Sequence, residues 1–459
     1  MNNKQKLSIN DHIQPKLGYV FKIAFPIIIS NASHTVMLFV DRLFLSRLGK
    51  QELAAAMSGG LSSHVLCSFF VGLIGYVSAL VAQYYGAEKP KMCGVAIIQA
   101  FYLGLISYPI LICFIPIIKY VFILAKQDPL LIDFASTYAR ILLAGSIFLI
   151  IRTAAGSFFV GIGKTKIVMI ANLIAALVNI PLNYILIFGK LGFPALAIQG
   201  AALGTVCASG VSCIILLGSY LKEMLQPPYQ VKNLLKIRFP IIKRLLLFGL
   251  PAGVSPFLNW FAFNVFVQLM HSYGPNTAAA ATIAFNWDTV VFLPMLGLGI
   301  TARTIVGQNI GAKDLDGAEH STYLIMRMSI IYAIAMMLLF IGLTNPLTSV
   351  FVSGLQDTGG EIQNMANIML RLLALYTLAN SCKLVLGGAL RAAGDTTWTM
   401  WVSITIHWAM AISVVILVHF LEVNQYIAWS TLIIMNNIDF ISLIYRFRTN
   451  KWREIKLIS

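Results

Sequence analysis

"VAQYYGAEK" at residues 81–89 comes back 225 positions later as "VGQNIGAKD" at 306–314. Working outward, the same offset joins "FPIIIS" (25–30) to "LPAGVS" (250–255) and "RLGKQELAAAM" (47–57) to "SYGPNTAAAAT" (272–282). Further on, "GSFFVGIGKT" (156–165) matches "GGALRAAGDT" (387–396) at an offset of 231. Order and spacing hold over most of each half, so the chain reads as two copies of one structural unit.

The composition says what that unit is made of. Of 459 residues, 58% are hydrophobic and only 11% charged, against about 25% charged in a soluble globular protein. Apolar stretches long enough to span a bilayer, about 20 residues each, lie near 20–46, 54–84, 93–118, 134–160, 165–189 and 195–220, and again near 243–271, 278–310, 318–343, 362–390, 396–420 and 425–445. The fold class is therefore an all-α polytopic membrane protein of twelve transmembrane helices. An even number of spans per copy makes both halves enter from the same side, a parallel repeat about an axis along the membrane normal, as is common in secondary transporters. The domain reading is an N-terminal lobe over 1–220, a cytoplasmic linker over 221–242 carrying prolines and clustered basic residues, and a C-terminal lobe over 243–459.

Basic residues orient the spans. Taking the N-terminus as inside, the inner segments hold 20 Lys and Arg and the outer loops hold 5, namely Arg47, Lys50, Lys119, Lys126 and Lys190. Positive charge gathers on the cytoplasmic side, so both termini are expected in the cytoplasm and the protein in the cell membrane. The first apolar run is too long for a signal-peptide core, so no cleavage is expected. The same flanking charge explains the net +16. With no soluble basic, aromatic-interleaved face, nucleic acid is excluded as a partner; the lipid bilayer is the expected one.

Several chemistries fail on their motifs. "GIGKT" (161–165) resembles the end of a phosphate-binding loop, but Phe158 stands where the pattern needs its first glycine, and a membrane helix precedes it in place of a strand. The seven His show no metal spacing, no GxSxG occurs, and the six Cys are scattered without a CxxC pair. An enzyme is therefore not expected, nor a cofactor; energy would come from an ion gradient, with H⁺ or Na⁺ as the coupling ion.

One carboxylate stands out. In "VMLFVDRLFLSRLG" (36–49), Asp41 follows an apolar stretch whose only charge from Tyr19 onward is Lys22. An ionised Asp in hydrocarbon costs roughly 2.5–3.5 kcal/mol on insertion scales. Either it sits at the interface paired with Arg42 or Arg47, or it faces something that stabilises it. A second polar group lies in "LVNIPLNYILIFG" (177–189): Asn179 and Asn183 are four apart and share a helix face. Pro181 between them frees the Leu177 carbonyl. Such oxygens could hold a desolvated Na⁺ or stabilise a proton on Asp41, or simply bond between helices; the spacing does not say whether the fifth helix lies beside the first.

Other charges fall inside apolar spans. Asp288, beside Trp287 in "FNWDTVVF" (285–292), is a candidate for binding cationic substrate or carrying a proton. Arg152 and Lys383 align across the repeat at an offset of 231 and could pair with Asp41 or Asp288, attract an anionic group, or snorkel. Trp260, Phe261 and Trp287 could line an adaptable apolar cavity.

Taken together, "VDRLFLSRLGKQELAA" (40–55) after "FP" (25–26), "VAQYYGA" (81–87), "NIPLNYILIFGKLGFPALAIQGAALGT" (179–205) and "GGALRAAGDT" (387–396) resemble MATE multidrug and toxin extrusion transporters of the bacterial NorM/DinF kind. The resemblance covers nearly the whole chain. It implies a cation-coupled antiporter exporting amphipathic, cationic organic compounds by alternating access, acting as a monomer. It puts the N-terminal cation site on Asp41, Asn179, Asn183, the Ala201 carbonyl and Thr205. DinF-like members carry a second Asp where Asn183 stands, and NorM-like members carry acids where Asn259 and Asn380 stand. The alternatives are a related lipid-linked oligosaccharide flippase, which Arg152 and Lys383 would suit, and a membrane-embedded enzyme.

Overall fold

The computed structural model describes residues 17–124, 129–230, 234–352 and 360–458, and among these no strand occurs. The basic residues of the N-terminal tail, Lys126 and Lys232 lie outside the described residues. The first six spans are α1 (Leu17–Ser46), α2 (Lys50–Gly75 continued as Val77–Gly86), α3 (Pro90–Cys113 continued as Ile115–Leu124), α4 (Pro129–Ala144 continued as Ser146–Gly161), α5 (Thr165–Phe188) and α6 (Ala197–Met224). The second six are α7 (Phe239–His271), α8 (Pro275–Gly311), α9 (Leu315–Gly342 continued as Thr344–Val352), α10 (Glu361–Ala393), α11 (Thr396–His419) and α12 (Gln425–Arg448). Eleven are long and apolar enough to cross a membrane as single helices; the twelfth span is α4, bent by 44° at Gly145. The twelve spans anticipated from hydropathy are all present.

The repeat is visible in the backbone. After α2, Glu88 adopts a positive φ of 54°, and after α8 its equivalent Lys313 has 63°. In both places the next amide reaches back to close the helix: Lys89 N to Tyr84 O at 2.9 Å and Asp314 N to Asn309 O at 2.9 Å. A side chain in the left-handed region is unfavourable without such a closure. The α4–α5 and α10–α11 turns also correspond, at Gly163 (φ 78°) and Gly394 (φ 95°).

These turns carry an ion pair in each half. Lys164, from the "GIGKT" stretch, bonds Glu223 at the end of α6 at 2.7 Å. Its repeat equivalent, Asp395, bonds Arg446 at the end of α12 at 2.6 and 3.3 Å. The contact is the same in kind, with its signs reversed.

By contacts, the chain divides into two compact units, one holding Phe25–Phe257 and the other the chain up to Ala24 with Leu258–Leu457. Within each, helices approach where a side chain is missing. In the first, Gly72 of α2 lies against the Ala252 carbonyl of α7, where an added Cβ would stand 2.5 Å away. In the second, Gly388 of α10 lies on the Gly299 carbonyl of α8 and leaves no room for one. Small residues replace the hydrophobic driving force that lipid does not provide between helices. The second unit adds an aromatic core in which Phe266, Phe285 and Trp429 pack together.

Candidate functional site

α1, α5 and α6 meet around Asp41, so α5 does lie beside α1. Asp41 is only 3% exposed. The Asn183 amide donates to one carboxylate oxygen, and the Thr205 hydroxyl lies 3.2 Å from the other. Thr205 is also 3.0 Å from the Ala201 carbonyl, and the Asn183 amide is 3.3 Å from Asn179 Oδ1. The five residues assigned from sequence thus form one cluster. Among the described residues Asp41 joins no ion pair. Two buried polar atoms of the cluster, Asn179 Nδ2 and Asn183 Oδ1, have no hydrogen-bond partner among the described residues.

Two contributors escaped the sequence reading. Gly204 on α6 makes room for Asn183: an added Cβ would overlap the Asn183 amide oxygen. Tyr138 of α4, 6% exposed, adjoins Thr205 and Asp41. Gly204 sits in the quoted "QGAALGT" stretch, but only the α5–α6 crossing gives it a role.

One heptad along the same helices lies a second polar layer. His34 precedes Asp41 by seven residues on α1, and Asn172 precedes Asn179 by seven on α5, two helical turns or about 10 Å. Asn172 donates to Ser30 at 2.6 Å and accepts from Ser212 at 2.9 Å. Beside it is a small cavity lined by His34, Arg152, Asn172, Ser209 and the small or apolar Met37 and Ala208. Arg152 Nε is buried with no hydrogen-bond partner, and no ion pair among the described residues involves Arg152.

The second half gathers a different set. Lys383 of α10 donates to Asn436 at 2.6 Å and pairs with Asp439 of α12 at 3.6 Å. His407 of α11 faces both charges, and its Nδ1 lies 2.7 Å from the Ser403 carbonyl. Asn259 bonds the Ser403 hydroxyl at 2.8 Å. Asp288 accepts from the buried Tyr376 hydroxyl, with the Lys383 ammonium also in its field. Trp287 is tied into the fold: its indole N–H donates to the Leu347 carbonyl at 3.0 Å and its ring meets Phe351 edge-on. Asn380 is buried on α10, whereas Trp260 and Phe261 are exposed on α7. Asp439, Asn436, His407 and Tyr376 were not anticipated. Asp439 carried a sequence signal of the same kind as Asp41, an acid within an apolar span.

Duplicated six-helix sets with charged and amide groups buried among their helices define a multi-span membrane transporter. The MatE family model matches residues 26–185 and matches again over 251–417, so it registers both copies of the repeat. The chain belongs to the MatE family. It is 26% identical over 390 residues to the probable multidrug resistance protein NorM of Pasteurella multocida, covering 84% of this chain and 83% of that one. The multidrug resistance protein NorM of Aliivibrio fischeri is 27% identical over 390 residues, 83% of this chain and 82% of that protein. In fold, the chain is similar to an outward-facing multidrug resistance MATE transporter of the MOP superfamily (TM-score 0.86, 18% identity, 97% of this chain and 98% of that one).

Proposed function

We propose that the protein is a cation-driven antiporter that exports amphipathic organic compounds across the cell membrane by alternating access, working as a monomer with both termini in the cytoplasm. Family membership and relatives named for multidrug resistance support export. One observation carries the coupling: a buried carboxylate, Asp41, is hydrogen-bonded by neutral groups, Asn183 and Thr205, and joins no ion pair among the described residues. A buried charge with no counter-charge is costly. It is relieved when Asp41 takes a proton or a Na⁺, which makes the cluster a place where a cation binds and from which it can leave.

The geometry serves both ions, and the proton more simply. With Asp41 ionised, the Asn183 amide N–H donates to it; with Asp41 protonated, the amide turned over offers its oxygen to the new O–H. Na⁺ needs several hard oxygens at once, and Asp41, Asn179, Asn183, Thr205 and the Ala201 carbonyl are the set that would supply them. One charge moved through 100 mV supplies about 2.3 kcal/mol, more than tenfold in concentration at about 1.4 kcal/mol per decade. One such carboxylate therefore suffices to drive accumulation.

The flippase alternative needs a cavity with two cations for a pyrophosphate. Lys383 is already matched by Asp439, which leaves Arg152 alone for that role.

The test is Asp41→Asn in proteoliposomes with Na⁺ and pH gradients imposed separately. The variant is expected to insert and fold, because a charge has left an apolar site, and to lose uphill transport completely under either gradient. Unchanged uphill transport would refute the assignment. In the unaltered protein, the gradient that drives transport identifies the ion.

A further inference from the structure

The two halves set a cation at equivalent places, Arg152 on α4 and Lys383 on α10. α5 (Thr165–Phe188) and α11 (Thr396–His419) keep the same offset of 231 from end to end, so Asn172 corresponds to Ser403 and Ala176 to His407. The last helix of each half completes the surroundings differently. α12 brings Asn436 and Asp439 to Lys383. α6 brings only Ala208 and Ser209 to the cavity at Arg152. Where the second half has a carboxylate, the first has a methyl group and empty volume.

Arg152 does not lose its proton to relieve the mismatch, as a guanidinium stays charged in proteins. Its Nε has no hydrogen-bond partner among the described residues. A half-buried guanidinium with its Nε shut off from solvent in this way calls for an anion. The walls suit a small one. A guanidinium meets a carboxylate through two parallel N–H bonds. Asn172 keeps one amide proton beyond the one given to Ser30, and the Ser209 hydroxyl and His34 imidazole line the same space. The cavity is far smaller than a pocket for a whole drug-like molecule, so only one small group of a larger ligand would enter it.

We propose that the cavity against Arg152 is a subsite for a small monoanionic group, supplied either by the carboxylate of a transported compound or by a free small anion. In the first case the inference rests on the export reading and extends the substrates to carboxylate-bearing amphipathic molecules. The subsite supplies from outside the counter-charge that Asp439 supplies from within to Lys383.

The test uses the purified full-length protein in nanodiscs. Thermal unfolding is followed at fixed sodium concentration while gluconate is replaced by acetate or chloride. The unaltered protein gains Tm saturably, as a ligand that binds only the folded state requires. Arg152→Gln, which removes the cation, and Ala208→Asp, which installs an internal carboxylate, lose the gain. Should Arg152→Gln fail to fold, Ala208→Asp carries the test. No gain in the unaltered protein, or an equal gain in a folded variant, overturns the proposal. Equilibrium binding of a cationic xanthene dye with a free carboxylate, beside its methyl ester, separates the sources. A preference for the acid of tenfold or more, lost in Ala208→Asp, assigns the subsite to the transported compound. Equal binding of acid and ester, with the Tm gain intact, assigns it to a free anion. A failed export reading shows up elsewhere, as transport indifferent to Asp41, with the Tm gain untouched.

Discussion

The two six-helix halves handle the same problem, charge inside an apolar helix bundle, in opposite ways. In the second half Lys383 and Asp439 neutralise each other at 3.6 Å, with Asn436 and His407 packed around them. In the first, among the described residues, neither Arg152 nor Asp41 joins an ion pair, and Asp41 is hydrogen-bonded by an amide and a hydroxyl, with the Arg42 charge acting only from a distance. A charge paired within the protein is part of its framework. A charge left without a partner is a place where something from outside completes the structure. Within the spans, the duplication has thus kept an internal ion pair at Lys383 in one half and, among the described residues, none at the equivalent Arg152 in the other.

The strongest way to break this contrast is to unpair the paired half. Asp439→Ala leaves Lys383 with the Asn436 amide and the field of Asp288 but no ion-pair partner, and a broken buried pair costs about 3–5 kcal/mol. Thermal unfolding should show a large loss of Tm, restored for the most part by adding Lys383→Met. Arg152→Met, made where no ion pair exists among the described residues, should leave Tm unchanged or raise it when both proteins are compared in gluconate. If both single variants cost the same, the contrast is wrong. A somewhat smaller difference is expected at the helix-end bridges. Asp395 is nearly buried, its side chain 5% exposed, whereas Lys164 is 49% exposed. Asp395→Asn should cost about 3 kcal/mol and Lys164→Gln less than about 1 kcal/mol, read from the same unfolding curves.

The smallest predicted effect sharpens the picture of the first half. Gly204→Ala places a methyl group where the Asn183 amide oxygen sits and forces that side chain off Asp41. The concentration of coupling ion needed for half-maximal transport should rise by about tenfold, equivalent to ~1.4 kcal/mol, while the maximal rate changes little. An unchanged ion dependence would remove Asn183 from the cluster and leave Asp41 and Thr205 to account for coupling.

Much of this was legible in the sequence, for identifiable reasons. Spans follow from long runs of apolar residues, a property local to each segment, and so their ends fell within a few residues of the observed ones. The Asn179–Asn183 face follows from helical periodicity alone. That this face meets Asp41 does not: the partners are 142 positions apart, and which helices touch is decided by packing over the whole unit. The same limit hid the Lys383–Asp439 pair, because neither residue's neighbours in sequence announce the other. Gly204 was hidden differently. A glycine in a membrane helix has many uses, and only the Asn183 side chain lying over it selects one.

The reversed signs of the Lys164–Glu223 and Asp395–Arg446 bridges bear on how such a chain is assembled. A polypeptide that holds two similar helix sets must keep the closing helix of one from docking onto the other while both are being inserted. If the end of α6 docked at the turn that receives the end of α12, Glu223 would face Asp395; if the end of α12 docked at the other turn, Arg446 would face Lys164. Both wrong arrangements set like charges against each other, and only the right ones bring opposites together. Opposite signs at matching turns thus add repulsion in the wrong arrangement to attraction in the right one, the logic of negative selection between similar partners, with the buried Asp395–Arg446 bridge weighing more than the exposed one at Lys164.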